Sequence, residues 1–202
     1  MIIMVIDTSS PECVVGLFDS VDETLCEKRS KSLNNHAELL FTIMDSALRE
    51  FGIDFDEISH IVAVVGPGSF TGLRASLAAV QGLKLSNNIS VHGISLLELQ
   101  AYLMLTGNSI PESANIMSTI EVSRADSVYY QIFNNVLFPL TEVKLVKSEE
   151  LNECTNENVI TKHSCKLADT ATSMAAAKLL LHKIENNLPP TKLSPIYARS
   201  YI

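Results

Sequence analysis

Residues able to do chemistry are few in this sequence, and the most distinctive run is Gly66-Pro67-Gly68-Ser69-Phe70-Thr71-Gly72-Leu73-Arg74. Free N–H groups at a helix start attract anions, helped by the helix dipole, so Gly68 and Ser69 are candidates for an anion site. A P-loop, however, needs lysine and a Ser or Thr directly after its last glycine. Here Leu73 follows Gly72, and Pro67 removes one N–H donor. Nor does Gly68-Ser69-Phe70 offer the Gly-x-Ser-x-Gly frame of a nucleophile elbow. Ser69 is expected to cap a helix rather than to attack a substrate.

A second candidate is Asp7-Thr8-Ser9, a polar turn after the first apolar run. Actin-like and sugar-kinase-like ATPases place a metal-associated Asp and a phosphate-binding turn at this point. This turn has no glycine, and side chains at Thr8, Ser9 and Ser10 would crowd a phosphate. The expectation is a vestigial nucleotide or anion site built from Asp7, Thr8, Ser9, Gly68 and Ser69. No cofactor is expected to bind tightly, with ATP or ADP held only weakly or at a partner interface. The histidines at 36, 60, 92, 163 and 182 show no i, i+4 pair, and Leu40 stands one turn after His36. The cysteines at 13, 26, 154 and 165 are scattered, without Cys-x-x-Cys. Neither a metal site nor a catalytic constellation is expected.

The elements that must position these residues read as strand, strand, strand, helix, strand, helix, strand, helix, an α/β layer order. Strands are predicted at Met1 to Ile6, Cys13 to Phe18 and around Thr24 to Lys28, joined by two tight turns in an antiparallel meander. The period then changes to three and four from Ala37 to Phe51. Asn35 and Glu38 fit a capping box and Gly52 a helix stop. His60 to Val65 reads as a strand covered on both faces, and Val91 to Ile94 as another before a helix from Leu96 to Leu105. The second half is less marked: strands at Ile116 to Ile120, Val128 to Phe133, Val143 to Val146 and Val159 to Thr161, a helix at Ala171 to Ile184, and an extended tail. No internal repeat is visible.

Composition bounds the function. The chain has 202 residues, a formal net charge of -8, 47% hydrophobic and 19% charged residues. That suffices for a sizeable core and is too little charge for a disordered chain. An acidic balance argues against gripping nucleic acid unaided, since phosphate affinity comes mainly from Lys and Arg. No apolar run approaches a membrane span, and the N-terminal apolar run is too short for a signal peptide, so a cytoplasmic address is expected.

The two helices beside the glycine-rich loop stand out. On the first, Leu39, Leu40, Ile43, Met44 and Ala47 make an apolar stripe wider than one core contact requires. It is either simply well buried, or packed on its sheet on one side and on another protein on the other. The second helix carries Gly72, Ala75, Ser76, Ala78, Ala79 and Gly82 on at least two faces. A mid-helix glycine costs about 1 kcal/mol against alanine, so Gly82 implies close packing, against the chain's own sheet or a partner helix. The partner reading is taken further: Leu39, Leu40, Ile43, Met44 and Ala47 with Leu73, Arg74, Ser76, Leu77, Ala79, Val80 and Leu83 are the predicted partner interface.

Ile6-Asp7-Thr8-Ser9, the Gly66 to Arg74 loop before a helix with Gln81-Gly82-Leu83, and Pro195-Ile196-Tyr197-Ala198-Arg199 together resemble the TsaB (YeaZ) family of tRNA threonylcarbamoyladenosine biosynthesis. The resemblance covers residues 1 to 105 most clearly. It implies an α/β, two-lobed actin-like (ASKHA, ribonuclease H-like) fold with a reduced second lobe, 1–105 and 106–202 being the two lobes. It also implies a non-catalytic subunit that dimerises with the catalytic subunit TsaD, or with itself when alone, and is joined by the ATPase TsaE. tRNA would be met only through that complex. The TsaD His-x-x-x-His metal motif has only His36 here. The Asp-Ala-Arg turn frequent in the family is replaced by Glu121-Val122-Ser123-Arg124. The alternatives are a weak actin-like ATPase, a hydrolase using Ser69, or a stand-alone homodimer regulating some other protein.

Overall fold

β-branched and apolar runs near both sequence ends of the first half pair into one sheet. A computed structural model describes residues 1–31, 36–86, 89–107, 110–122, 126–154, 159–161 and 172–196. Its elements are β1 (Ile2–Asp7), β2 (Glu12–Asp19), β3 (Leu25–Lys31), α1 (His36–Phe51), β4 (Ile58–Val64), α2 (Phe70–Ser86), β5 (Ser90–Ile94) and α3 (Leu96–Gly107). β6 (Asn115–Glu121), β7 (Ser127–Phe133), β8 (Lys144–Lys147), β9 (Val159–Thr161) and α4 (Thr172–Glu185) follow.

The first sheet has the order β3-β2-β1-β4-β5. β1, β2 and β3 form the expected antiparallel meander, while β4 and β5 run parallel to β1. The second sheet, β8-β7-β6-β9, repeats the first four places of that order, with β7 antiparallel to β6 and β9 parallel to it. This is the actin-like, ribonuclease H-like α/β architecture, with the second lobe lacking a fifth strand among the described residues.

Layers follow from which face each strand buries. α1 and α2 cover one face of the first sheet, closing a core of Met4, Ile6, Val15, Leu17, Leu40, Met44, Ile61 and Val80. The other face meets α4, and α3 lies against β6 and β7. One core therefore fills the space between the sheets, built from Ile3, Val5, Phe18, Leu99, Met104, Ile116, Phe133, Ala176 and Leu180. The helices pack across the 105/106 division: α3, which starts before it and runs to Gly107, covers the second sheet, while α4 follows it and covers the first. β4 is covered on both faces, as its sequence predicts.

Helix ends obey local rules. Gly52, at φ +79, lets its N–H and that of Ile53 both reach the Leu48 carbonyl, which stops α1 as predicted. Ser95 and Glu98 cap α3 reciprocally, backbone Glu98 donating to Ser95 Oγ at 3.1 Å and backbone Ser95 to Glu98 Oε2 at 2.8 Å. Asn35, His163, Cys165, Ser123, Arg124, Tyr197 and Arg199, together with the side chains of His36, Ala37 and Cys154, lie outside what is described, so the predicted Asn35 capping box has no structural counterpart here.

Candidate functional site

The turn after β1 and the loop before α2 face each other, as the sequence predicts, but they fill each other's space. Asp7, Thr8 and Ser9 are all buried. Thr8 Oγ1 donates to the Gly72 carbonyl at 2.7 Å, and the Ser69 N–H donates to the Ser9 carbonyl at 2.7 Å. Ser69 does cap α2: the Gly72 N–H donates to Ser69 Oγ at 3.2 Å and the Leu73 N–H to Ser69 O at 2.9 Å. Three N–H groups of this loop and helix start, those of Ser69, Gly72 and Leu73, are thus committed to protein acceptors.

The glycines of the loop find their reason in the same contact. A Cβ at Gly68 would stand 2.3 Å from the Ser9 carbonyl oxygen, and one at Gly72 would stand 2.1 Å from that of Thr8. Close backbone approach requires them, not a phosphate. Burial pushes the Asp7 carboxyl up, opposed by the Ser9 N–H that donates to its Oδ1 at 2.8 Å. A carboxyl so enclosed has little freedom to meet a nucleotide-bound metal. Among the described residues no group of three or more His, Cys, Asp or Glu could hold a metal ion. Cys13 and Cys26 are buried free thiols, and burial pushes Cys13 up to about 11.

The predicted docking residues divide. Leu40, Ala47, Leu73, Ser76 and Val80 have no exposed area, and Ile43, Met44 and Leu77 are 7% exposed or less. These eight belong to the chain's own core and are corrected here: they are not surface. For α1 the reason is its seat, since it lies over β2 and β3 and beside α2 and so spends a wide apolar stripe on two internal neighbours. Its outer face is mostly polar, with Glu38, Thr42, Asp45, Ser46 and Arg49 exposed and an Asp45–Arg49 pair at 3.0 Å. Leu39, Ala79 and Leu83 are half-buried and Arg74 is exposed.

What α2 turns outward was only partly legible. Phe70, Arg74, Ala78, Gly82 and Leu85 recur at helical spacing and are all exposed, Leu85 at 90% and Phe70 at 47%. The Arg74 guanidinium lies 4.0 Å over the Phe70 ring. A Cβ at Gly82 would meet nothing within 4 Å, so packing on the chain's own sheet does not explain that glycine. Phe41, 52% exposed on α1, adds a further apolar side chain on the surface. Its position amid Glu38, Thr42 and Asp45 was a readable signal: a large aromatic on an otherwise polar face.

Two histidines that the linear pattern left unpaired meet in space. His60 and His92 sit on neighbouring strands, with Nδ1 and Nε2 3.0 Å apart and ring centroids 5.1 Å apart. The ring planes are tilted by 39°, and which nitrogen donates is set by the tautomer of each ring. Burial lowers both pKa values, helped for His60 by the N-terminal amine and for His92 by His60 and Lys183.

The family model described as "TsaD: tRNA N6-adenosine threonylcarbamoyltransferase" matches residues 30–184. Two curated proteins named "tRNA threonylcarbamoyladenosine biosynthesis protein TsaB" are similar. That of Buchnera aphidicola subsp. Baizongia pistaciae is 34% identical over 46% of this chain and 41% of its own length. That of Buchnera aphidicola subsp. Schizaphis graminum is 33% identical over 50% of this chain and 47% of its own. The chain thus spans about half the length of the curated relatives it matches. In structure, YeaZ from Pseudomonas aeruginosa superposes with a TM-score of 0.69 at 17% identity, covering 98% of this chain and 99% of that one. With the family model matched over more than half of its length, the chain belongs to the TsaD family of that description, and within it to the TsaB (YeaZ) group.

Proposed function

We propose that this chain is a non-catalytic, activating subunit of the machinery that transfers threonylcarbamoyl to N6 of adenosine 37 in tRNAs reading codons that begin with A. It acts by docking on a TsaD-like catalytic subunit, pairs with a second copy when alone, and is joined by a TsaE-like ATPase. tRNA is met through the complex, and no nucleotide is held tightly. One observation carries the reading: the outward face of α2, where Phe70, Ala78, Gly82 and Leu85 are exposed and Gly82 has no neighbour of its own to accommodate. Small side chains let a second helix approach closely, and large apolar ones at the stripe's ends gain by leaving water. The closed contact between Ser9 and Ser69 supports the absence of chemistry at the old cleft.

Reconstituted tRNA modification with cognate TsaC-, TsaD- and TsaE-type proteins tests the proposal. The expected result is modification only when this chain is added, and none from the chain alone. Equal modification without it, or turnover of ATP by the isolated chain, contradicts the reading.

A further inference from the structure

After α4 the chain runs as a strap along the open edge of the first sheet. Thr191 forms an antiparallel bridge to Gly93 of β5, and the Ile196 N–H donates to the Val65 carbonyl at 2.7 Å, just beyond β4. Two glycines make the seats. A Cβ at Gly93 would stand 2.9 Å from the Thr191 carbonyl oxygen and 3.1 Å from that of Lys192, and one at Gly66 would stand 2.5 Å from that of Ile196. Gly66 also has φ +98, which a side chain would strain.

A buried ion pair fastens the strap to both neighbouring helices. Lys183 of α4, 8% exposed, reaches Glu98 Oε1 at 2.5 Å and Thr191 Oγ1 at 2.8 Å, and Thr191 Oγ1 donates to the same Glu98 oxygen at 2.6 Å. The other oxygen of Glu98 is the one that caps α3. One carboxylate therefore ties together the start of α3, the end of α4 and the strap. Clefts of about 570 and 540 Å³ flank the strap, and Pro190 and Thr191 line both. Between these polar anchors, Leu193 and Ile196 also pack on the core beneath α1 and α2.

The last anchor stands beside the loop that starts α2. Val65, which accepts the Ile196 N–H, precedes Gly66, and the Gly66 carbonyl in turn accepts the Leu96 N–H at 2.7 Å. We propose that residues 189–196 are a latch that positions the Gly66 to Phe70 turn, and through it the Phe70 and Arg74 end of the outward α2 face. The latch lets the Lys183–Glu98–Thr191 cluster set the geometry of a surface it does not touch. The functional consequence rests on the reading of that face as the docking surface; the mechanical coupling does not.

Gly93→Ala tests it without changing a charge or a docking residue: the added methyl enters the strap's backbone, and because it also stands 3.2 Å from Val65 Cγ1, Thr191→Val is the variant that separates the strap's effect from a direct push on Val65. Hydrogen exchange on the full chain reads the effect. The amides of Ile196, Gly66, Gly68, Ser69 (whose N–H lies on Ser9) and Phe70 should exchange at least tenfold faster, with α1 unchanged, and affinity for the catalytic partner should fall. Thr191→Val, which removes the hydroxyl between Lys183 and Glu98 without a wedge, should move the same amides in the same direction by less. A strap that loosens in either variant while residues 66 to 70 keep their protection overturns the latch, as does protection unchanged throughout in both. Faster exchange at 66 to 70 with unaltered partner affinity supports the latch and counts against α2 as the docking face.

Discussion

The two sheets share a strand order and differ in what covers them. In the first, β1 is buried at every residue from Ile3 to Asp7, because α1 and α2 close one face and α4 the other. In the second, among the described residues, the outer face carries only the short 3-10 turn at Ser148–Cys154, whose Leu151 packs with Met117, Val128 and Tyr130. Leu145 on β8 and Ile160 on β9 stay 39% and 36% exposed. The difference teaches where surface and stability reside. A helix laid over a sheet finishes that core and presents a new outer face of its own; a sheet left without one keeps a thin core and exposed strand edges. The proposed docking face, the outward side of α2, lies on the lobe whose sheet is covered on both faces.

Truncating equal side chains in the two regions gives the largest contrast. Leu40→Ala, at a site with no exposed area, should cost about 2–5 kcal/mol, while Leu145→Ala should stay within about 0.5 kcal/mol. Urea unfolding monitored by circular dichroism measures both. Similar midpoint shifts would mean that the second sheet is as tightly covered as the first.

A smaller effect sits at the β4–β5 edge. His60 and His92 titrate below their unfolded value of 6.5, so between the two values the unfolded chain binds more protons than the folded one. The pair's contribution is complete above about pH 6.5 and falls away as the pH drops below it. Unfolding midpoints from pH 8 to pH 5 should decline less steeply in His60→Gln than in the parent chain. An unchanged slope would place the acid sensitivity elsewhere.

Much of this contrast could be read from sequence, and the missing parts share a cause. The meander, the Gly52 stop, the Ser69 cap and the doubly covered β4 all follow from local periodicity and turn chemistry. The Ser95-x-x-Glu98 cap carries an equally local signal, a serine with a glutamate three residues on. Eight of the twelve predicted docking residues turn inward because apolar side chains alone do not say which neighbour takes them: Leu40 and Ala47 meet the sheet, while Ala78 and Gly82 face out. Small residues on every side of α2 blur its amphipathic signal further. The His60–His92 and Lys183–Glu98 contacts join residues 32 and 85 positions apart through strand order and helix packing, which no short spacing encodes. The same holds for the repeated strand order, a likeness of topology without a likeness of residues.

The most direct test places one charge on each region. Ala78→Glu puts a carboxylate on the exposed α2 face, and Leu145→Glu puts one on the exposed edge of the second sheet. A carboxylate buried without a partner is costly, so titration calorimetry against the catalytic subunit should show Ala78→Glu weakening binding by about 100-fold or more, with ~1.4 kcal/mol for each factor of ten. Leu145→Glu should bind like the parent chain. Undiminished binding by Ala78→Glu, or an equal loss in both variants, would contradict the assignment of α2 as the docking face.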